Sequence, residues 1–139
     1  DEGLIRHIGF TTEDQNSAVY RFIKSGRFDV MQICYNVVHM HAHEFTRPFG
    51  SIPAAVEAGM GVVTMRTLTS GMFQKWMRTI RPDDDFDYST ALLQFVLSDP
   101  MVNVALVGTR TAGEVERNVA VLHDKAGRID LEDIHGKYV

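Results

Sequence analysis

The sequence predicts an α/β fold built from parallel βα units. Short apolar runs of strand length alternate with helical periodicity about four times along the chain. Turn or capping residues separate these segments, and strands that alternate with helices in this way form parallel sheets. A closed (β/α) barrel needs about eight such units in roughly 250 residues. The residues alone therefore leave two architectures open, a half barrel and a small open doubly wound sheet.

The first unit joins a strand to a helix near the start of the chain. Leu4–Phe10 reads as a strand, and the T-x-x-Q capping box of Thr12 and Gln15 predicts a helix start. The buried face expected for this helix is Ala18, Val19, Phe22 and Ile23. Gly26 predicts its end. Because a strand-like run begins almost at Asp1, we expect the chain to start inside a domain.

The second and third units follow in the same order. Phe28–Tyr35 predicts a strand, Asn36–Phe49 an irregular His-rich loop, and Ser51–Ala58 a helix that ends at Gly59. Gly61–Met65 predicts a third buried strand.

A long connection then leads to another helix. Arg66–Asp85 is too long to be featureless, so we expect it to be functional or partly helical. Tyr88–Leu97 predicts a helix that Pro100 ends. Its expected buried face is Ala91, Leu92, Phe95 and Val96.

The fourth unit, Val102–Leu122, carries the most specific local signals. Its apolar run predicts a strand buried on both faces, and the T-x-x-E capping box of Thr111 and Glu114 predicts a helix start. The expected buried face of this helix is Val115, Val119 and Leu122. Arg110 stands beside the helix start, where backbone N–H groups and a guanidinium favour an anion. Both a phosphate site and an ordinary turn with a solvated arginine fit this pattern.

Composition restricts the class of protein and its partners. The net charge is −4 with both signs mixed along the chain, which predicts no nucleic-acid partner. No apolar run is long enough to span a bilayer, and no signal-peptide pattern is present, so no membrane partner is predicted. The single cysteine, Cys34, excludes an internal disulfide and favours a reducing compartment. We therefore expect a cytoplasmic protein in which Cys34 packs in a buried strand.

Four segments together resemble the last half of the aldo/keto reductase family. They are GLIRHIGFTT, FDVMQICYN, GVVTMRTLTSG and ALVGTRTAGEVERNV, in that order and spacing. The resemblance implies that residues 1–139 are the C-terminal half of a (β/α)8 TIM barrel, holding about its last four βα units. A polar tail of about residues 127–139 is expected to wrap the surface. The resemblance also implies NADP(H), with NAD(H) less favoured, and the reduction of a small-molecule carbonyl substrate, an aldehyde or ketone, to an alcohol.

The resemblance assigns residues to the nicotinamide end of the cofactor. Thr11, Thr12 and Gln32 match positions that hold the carboxamide, although Thr12 replaces the usual asparagine. Met65 stands where many members stack an aromatic side chain on the ring.

Other positions match the phosphate and adenosine end. Arg66 and Leu68 occupy the loop that covers the pyrophosphate, and Gly108, Thr109 and Arg110 match the turn that meets the 2′-phosphate. Asn118 and Arg117 match positions near the adenine, where Arg117 replaces an acidic residue. The cationic pair Arg110 and Arg117 favours NADPH, because a 2′-phosphate binds guanidinium groups well.

The family's catalytic Asp, Tyr, Lys and His lie on earlier strands and loops, and no residue of this chain matches them. The resemblance therefore implies a reductase in the intact parent and an inactive segment on its own. Unpaired sheet edges predict a covering partner, either the missing N-terminal half of the barrel or a second copy. The alternative function is a non-catalytic nucleotide-binding or interaction half barrel that dimerises.

Alternating histidines give the loop after the second strand a possible metal pattern. On an extended segment, His39, His41 and His43 would point to one side, with Glu44 adjacent, and could ligate zinc or copper. No fourth distant ligand is apparent, and the resemblance places this loop at the border of the substrate pocket. The sequence leaves metal binding here open without predicting it.

Overall fold

The computed structural model describes residues 2–45 and 50–138. Its strands are β1 (Gly9–Thr12), β2 (Val30–Cys34), β3 (Gly61–Met65) and β4 (Val104–Ala105). Its helices are α1 (Ser17–Lys24), α2 (Ser51–Glu57), α3 (Met72–Ile80), α4 (Ser89–Leu97), α5 (Ala112–His123) and α6 (Leu131–Tyr138). A 3₁₀ turn, Thr69–Gly71, leads directly into α3. Among the described residues the longest helix, α5, has 12 residues, so none of these helices could span a bilayer.

The four strands form one parallel sheet in the order β1-β2-β3-β4. Strands that are neighbours in sequence are neighbours in this sheet, as expected of successive βα units. The order does not reverse within the described sheet, whereas a doubly wound fold reverses at a switch point. The predicted α/β fold with a parallel sheet is confirmed.

The core lies on one face of the sheet. Met31 and Ile33 of β2 and Val62 of β3 are fully buried. They pack with a hydrophobic cluster that α1, α2 and α4 supply through Val19, Ile23, Ile52, Ala55, Phe95 and Val96. The alternate positions of the strands face the other way and are more open, with Gln32 and Met65 half-buried and Thr11 exposed. Polar groups at the carboxyl ends of the strands are therefore accessible on the open face.

The first strand starts later than the sequence predicted. β1 begins at Gly9, and Leu4, Ile5 and Ile8 are exposed instead of lying in a strand. The strand was predicted to start at Leu4 because Leu4, Ile5 and Ile8 are apolar. However, β1 is an edge strand, and no described element lies on its outer side to bury these side chains.

The predicted capping box at Thr12 and Gln15 is wrong. Asn16 caps α1, and its Oδ1 accepts the Ala18 N–H at 2.9 Å. Thr12 remains in β1, and its Oγ1 accepts the Asp14 N–H at 3.0 Å. Asn and Thr are both good capping residues, so the pattern alone did not separate the two positions.

The predicted buried face of α1 is correct only in part. Val19 and Ile23 are buried, but Phe22 is 48% exposed. Its ring lies at the margin of the core, 5.5 Å from the ring of Phe10 and 5.7 Å from that of Phe28. The expected end of the helix is confirmed by Gly26, which has a φ of 64° directly after the C-cap.

The middle of the chain follows its prediction closely. β3 has the predicted bounds, and α2 ends one residue earlier than expected, before Gly59 with its φ of 75°. β2 is shorter than the predicted Phe28–Tyr35. The long connection is partly helical, as expected, since it contains the 3₁₀ turn and α3. Residues 46–49 of the predicted His-rich loop lie outside the described residues.

The fourth unit departs most from its prediction. β4 spans only two residues, and Val104 and Leu106 are exposed, so the strand is not buried on both faces. The capping box of α5 is confirmed. Its predicted buried face is wrong, because Val115, Val119 and Leu122 are 46%, 48% and 47% exposed. In the described part of the chain no strand pairs with the outer edge of β4, and Val121 is the α5 residue that is buried.

Two smaller predictions are also corrected. Ala91, expected in the buried face of α4, is exposed, while Leu92, Phe95 and Val96 are buried as expected. The C-terminal segment is more than a polar surface tail, since it forms α6 and buries Leu131 and His135.

Candidate functional site

A cleft of about 810 Å³ opens beyond the carboxyl ends of β3 and β4. Parallel strands bring their carboxyl ends to one edge of the sheet, so the segments that follow β3 and β4 meet there. Seven of the eleven residues assigned to the cofactor by resemblance line this cleft: Arg66, Leu68, Gly108, Thr109, Arg110, Arg117 and Asn118. A cleft of this size lies in the range that small-molecule and cofactor sites occupy.

The charge of the cleft is predominantly positive. Four arginines line it, Arg66, Arg78, Arg110 and Arg117, against the carboxylates of Asp87 and Glu114. Among the described residues, the only ion pair within 4 Å made by any of these arginines joins Arg66 to Glu13, which is not a lining residue. Guanidinium groups that lack a close carboxylate attract phosphate.

The start of α5 is closed by its own capping box. The Glu114 carboxylate accepts the Arg110 N–H at 2.6 Å and the Thr111 N–H at 3.3 Å, while Thr111 Oγ1 accepts the Glu114 N–H at 3.2 Å. The hydrogen bonds to the carboxylate hold the pKa of Glu114 below its ordinary value, and the bond from the Arg110 N–H has the largest effect. Three N–H groups at this helix start, those of Arg110, Thr111 and Glu114, are thus already used, and the arginine side chains are the charged groups that remain to attract an anion.

Asp87, the other lining carboxylate, is also held in its charged form. It accepts the Ser89 N–H at 3.0 Å at the entry to α4. Hydrogen bonds from the Ser89 side chain and backbone lower its pKa, and the charge of Arg117 adds to the effect. Asp87 therefore offsets part of the positive charge on that side of the cleft.

Three of the other four assigned residues come together on the open face of the sheet. Thr11 lies beside Gln32 in the register of β1 and β2, and Gln32 Nε2 lies 3.3 Å from Met65 Sδ. Within the described residues this sulfur, a weak acceptor, is the one hydrogen-bond partner of the Gln32 amide. The amide thus keeps most of its hydrogen-bonding capacity for a ligand.

Thr12 does not join this group. It pairs in register with Ile33, whose side chain is buried on the helix-covered face, and its hydroxyl bonds to the Asp14 backbone. Strand alternation therefore directs Thr12 away from Thr11 and Gln32.

The segment after β3 is strained, which the sequence did not indicate. Arg66, Thr69 and Ser70 have φ values of 55°, 55° and 53°, a region that non-glycine residues rarely adopt. Asn36 Nδ2 donates to the Arg66 carbonyl at 2.9 Å and fixes the start of this segment. A second cavity of about 230 Å³, lined in part by His39 and Lys75, lies against it.

The His-rich loop does not present its histidines on one side. His43 is buried and its Nδ1 lies 2.7 Å from Asp99 Oδ2, whereas His41 is exposed. Across residues 2–45 and 50–138, no three His, Cys, Asp or Glu side chains are grouped to hold a metal ion. Cys34 is buried as expected, and burial raises the pKa of its thiol.

Comparison with known proteins does not assign a family. No protein-family model matches the chain, and no curated protein matches it either. The arginine-lined cleft and the adjoining polar face of the sheet are thus the observations on which a function can be argued.

Proposed function

We propose that this chain binds NADP(H) and forms the cofactor half of a carbonyl reductase whose complete fold is a (β/α)8 barrel. The observation that carries the proposal is the cleft, which is lined by seven positions assigned by resemblance, three of them arginines, and by one further arginine, Arg78. NAD(H) is the less favoured cofactor, because a 2′-phosphate adds charge that a cationic cleft binds. When bound, NADPH supplies the hydride that reduces an aldehyde or ketone to an alcohol.

The resemblance supplies the roles of the cleft residues, and their places in the cleft are compatible with these roles. Arg110 and Arg117 at the α5 end of the cleft bind the adenosine 2′-phosphate, with Asn118 beside the adenine. Gly108, Thr109 and Leu68 contact the chain of the cofactor between its two ends. Arg66 neutralises the pyrophosphate.

The nicotinamide end is held on the open face of the sheet. Thr11 and Gln32 bind the carboxamide, and Met65 contacts the ring through its polarizable sulfur. Thr12 has no part in this arrangement, because its side chain is directed to the other face.

The rest of the barrel would supply what this half lacks. Hydride transfer to a carbonyl needs a proton donor beside the developing alkoxide, and the family's Asp, Tyr, Lys and His have no counterpart here. We therefore expect the segment alone to be inactive. The open face and the outer edges of β1 and β4 are the surfaces that the missing N-terminal half would cover.

A titration calorimetry experiment tests the cofactor assignment. NADPH is titrated into the wild-type chain, with NADH for comparison, and then into Arg110→Ala and Arg117→Ala. Arg21→Ala on α1 removes the same charge far from the cleft and serves as the matched control. We expect each cleft variant to weaken NADPH about tenfold, or about 1.4 kcal/mol, with a smaller effect on NADH. Equal affinities in the cleft variants and the control, or no binding to folded protein, would refute the proposal.

A second candidate is a non-catalytic half barrel that pairs with its own copy. The observation in its favour is apolar exposure at both ends of the sheet, through Leu4, Ile5, Ile8 and Phe22 beside β1 and Val104, Leu106, Val115, Val119 and Leu122 beside β4. Two copies that joined edge to edge would complete eight strands. Sedimentation velocity separates the candidates, since a stable dimer without NADPH binding favours the module and a monomer that binds NADPH favours the reductase half.

A further inference from the structure

An ion pair spans the carboxyl end of the sheet above β2. Glu13 follows β1, Arg66 follows β3, and Glu13 Oε1 lies 2.5 Å from Arg66 Nη2 although 53 positions separate the two residues. The charges of both act on the Cys34 thiol, at the end of the strand between them. The guanidinium therefore reaches over β2 toward β1.

The same arginine belongs to the wall of the cleft. Arg66 lines both the large cleft and the smaller cavity beside it, so it stands between the two spaces. Its backbone is fixed, with a φ of 55° and a carbonyl that accepts the Asn36 Nδ2–H at 2.9 Å. Only the side chain is free to change direction.

That side chain is accessible to a competing anion. The Arg66 and Glu13 side chains are 48% and 55% exposed, and exposed ion pairs contribute little to stability. A ligand phosphate can therefore replace Glu13 as the partner of the guanidinium at small cost. Glu13 opposes phosphate binding because it competes for the same guanidinium.

We propose that Glu13 is a positioning residue that limits the affinity of the cleft for phosphate-bearing ligands, because it holds the Arg66 guanidinium as a competing partner. This inference rests on the proposed function, because it takes the dinucleotide as the ligand. It adds a residue outside the cleft that sets the affinity of the site. Glu13 acts through Arg66 and contacts no ligand itself.

The test compares two acidic residues that are adjacent in the sequence. Glu13→Gln and Asp14→Asn remove the same charge at the same end of β1, but Asp14 makes no contact with Arg66 among the described residues. Arg66→Gln and the double variant Glu13→Gln/Arg66→Gln complete a double-mutant cycle. Dissociation constants for NADPH and for inorganic pyrophosphate are measured by calorimetry at low ionic strength, with circular dichroism as the check of folding.

We expect Glu13→Gln to tighten NADPH and pyrophosphate binding about fivefold, and Asp14→Asn to change either by much less. The gain should vanish in the Arg66→Gln background, since Glu13 then has no guanidinium to hold. Equal gains for Glu13→Gln and Asp14→Asn, a gain that persists without Arg66, or weaker binding by Glu13→Gln would each overturn this inference while leaving the proposed function intact. Absence of binding by every folded variant and the wild type would instead overturn both.

Discussion

His43 and Asp99 form a buried pair that joins the His-rich loop to the turn between α4 and β4. His43 Nδ1 lies 2.7 Å from Asp99 Oδ2, and the two side chains are 8% and 0% exposed. Asp99 Oδ1 also accepts the Met101 N–H at 2.8 Å, and the His43 ring stacks on Phe45 at 3.8 Å. Burial, and next the charge of Asp99, raise the pKa of the nearby Tyr35 hydroxyl. The pair thus holds a loop against the core.

Removal of one member of this pair should destabilise the chain strongly. We expect Asp99→Ala to lower the free energy of unfolding by about 3 kcal/mol, because it leaves His43 buried without its partner. Asp99→Asn keeps one acceptor oxygen for the Met101 N–H and places its amide NH2 beside the His43 ring, whose neutral form can accept there, so it should cost about 1 kcal/mol. Urea unfolding measures both against Asp83→Ala, which removes an exposed carboxylate. A cost for Asp99→Ala no larger than that of Asp83→Ala would show that the pair has no structural role.

Local signals predicted those parts of the fold that local interactions determine. β3, α2 and the capping box of α5 appear where the sequence places them, because glycine ends and reciprocal caps involve residues only a few positions apart. The outward apolar face of α5 was predicted as buried, because periodicity reports that a helix side is apolar and not which element covers it. In the described residues that side has no neighbour to bury Val115 or Val119.

In the candidate site, too, the residues that adjacent positions identify were predicted, and the contacts between distant positions were not. Resemblance over short runs of adjacent positions predicts the cleft residues, and the loops after β3 and β4 bring these residues together. The partnership of Glu13 with Arg66 and that of His43 with Asp99 span 53 and 56 positions. No spacing rule connects residues so far apart, because the order of the strands in the sheet decides which loop ends meet. The sequence therefore shows His43 only as one of three alternating histidines.

Gly50 should tolerate no side chain, in contrast to Gly26. Gly50 has a φ of 130°, and a Cβ there would lie 2.8 Å from the Ala42 carbonyl carbon. Gly26 also has a positive φ, 64°, but a Cβ there meets nothing within 4 Å. We expect Gly50→Ala to cost about 3 kcal/mol, from strain and displacement of the Ala42 segment, and Gly26→Ala about 1 kcal/mol. Thermal unfolding of the two variants gives the comparison, and equal costs would contradict the close approach at Gly50.

Arg128 closes the C-terminal end of α5. Its guanidinium donates to the carbonyls of Val121 at 3.2 Å, Leu122 at 3.0 Å and Asp124 at 3.0 Å, and it also contacts the buried Gln94 of α4. The last carbonyls of a helix lack partners within the helix, so these bonds satisfy groups that would otherwise need water.

Loss of the Arg128 guanidinium should therefore weaken the packing of the end of α5 on α4. We expect Arg128→Met, which keeps the aliphatic stem, to lower the free energy of unfolding by about 2 kcal/mol. Lys125→Met removes a positive charge from the same turn without these bonds and should cost little. Urea unfolding provides the values, and hydrogen exchange should show faster exchange at the end of α5 in Arg128→Met alone. Matching behaviour of the two variants would mean that Arg128 acts only through its charge.

Glu114 should make the stability of the chain depend on acid pH in a defined direction. The Arg110 N–H, followed by the Thr111 N–H, holds the pKa of Glu114 below its ordinary value, which is about 4.3 for glutamate. A depressed carboxyl pKa contributes stability that is fully present above the ordinary value and is lost as pH falls through the folded-state value.

Glu114→Gln keeps a capping box but has no charge to lose. The difference in unfolding free energy between wild type and Glu114→Gln should thus be largest near neutral pH and shrink below about pH 4. Glu116→Gln, which removes the same charge outside the capping box, is the control, and an unfolding curve for Glu114→Gln that follows wild type in parallel at every pH would exclude this role for Glu114.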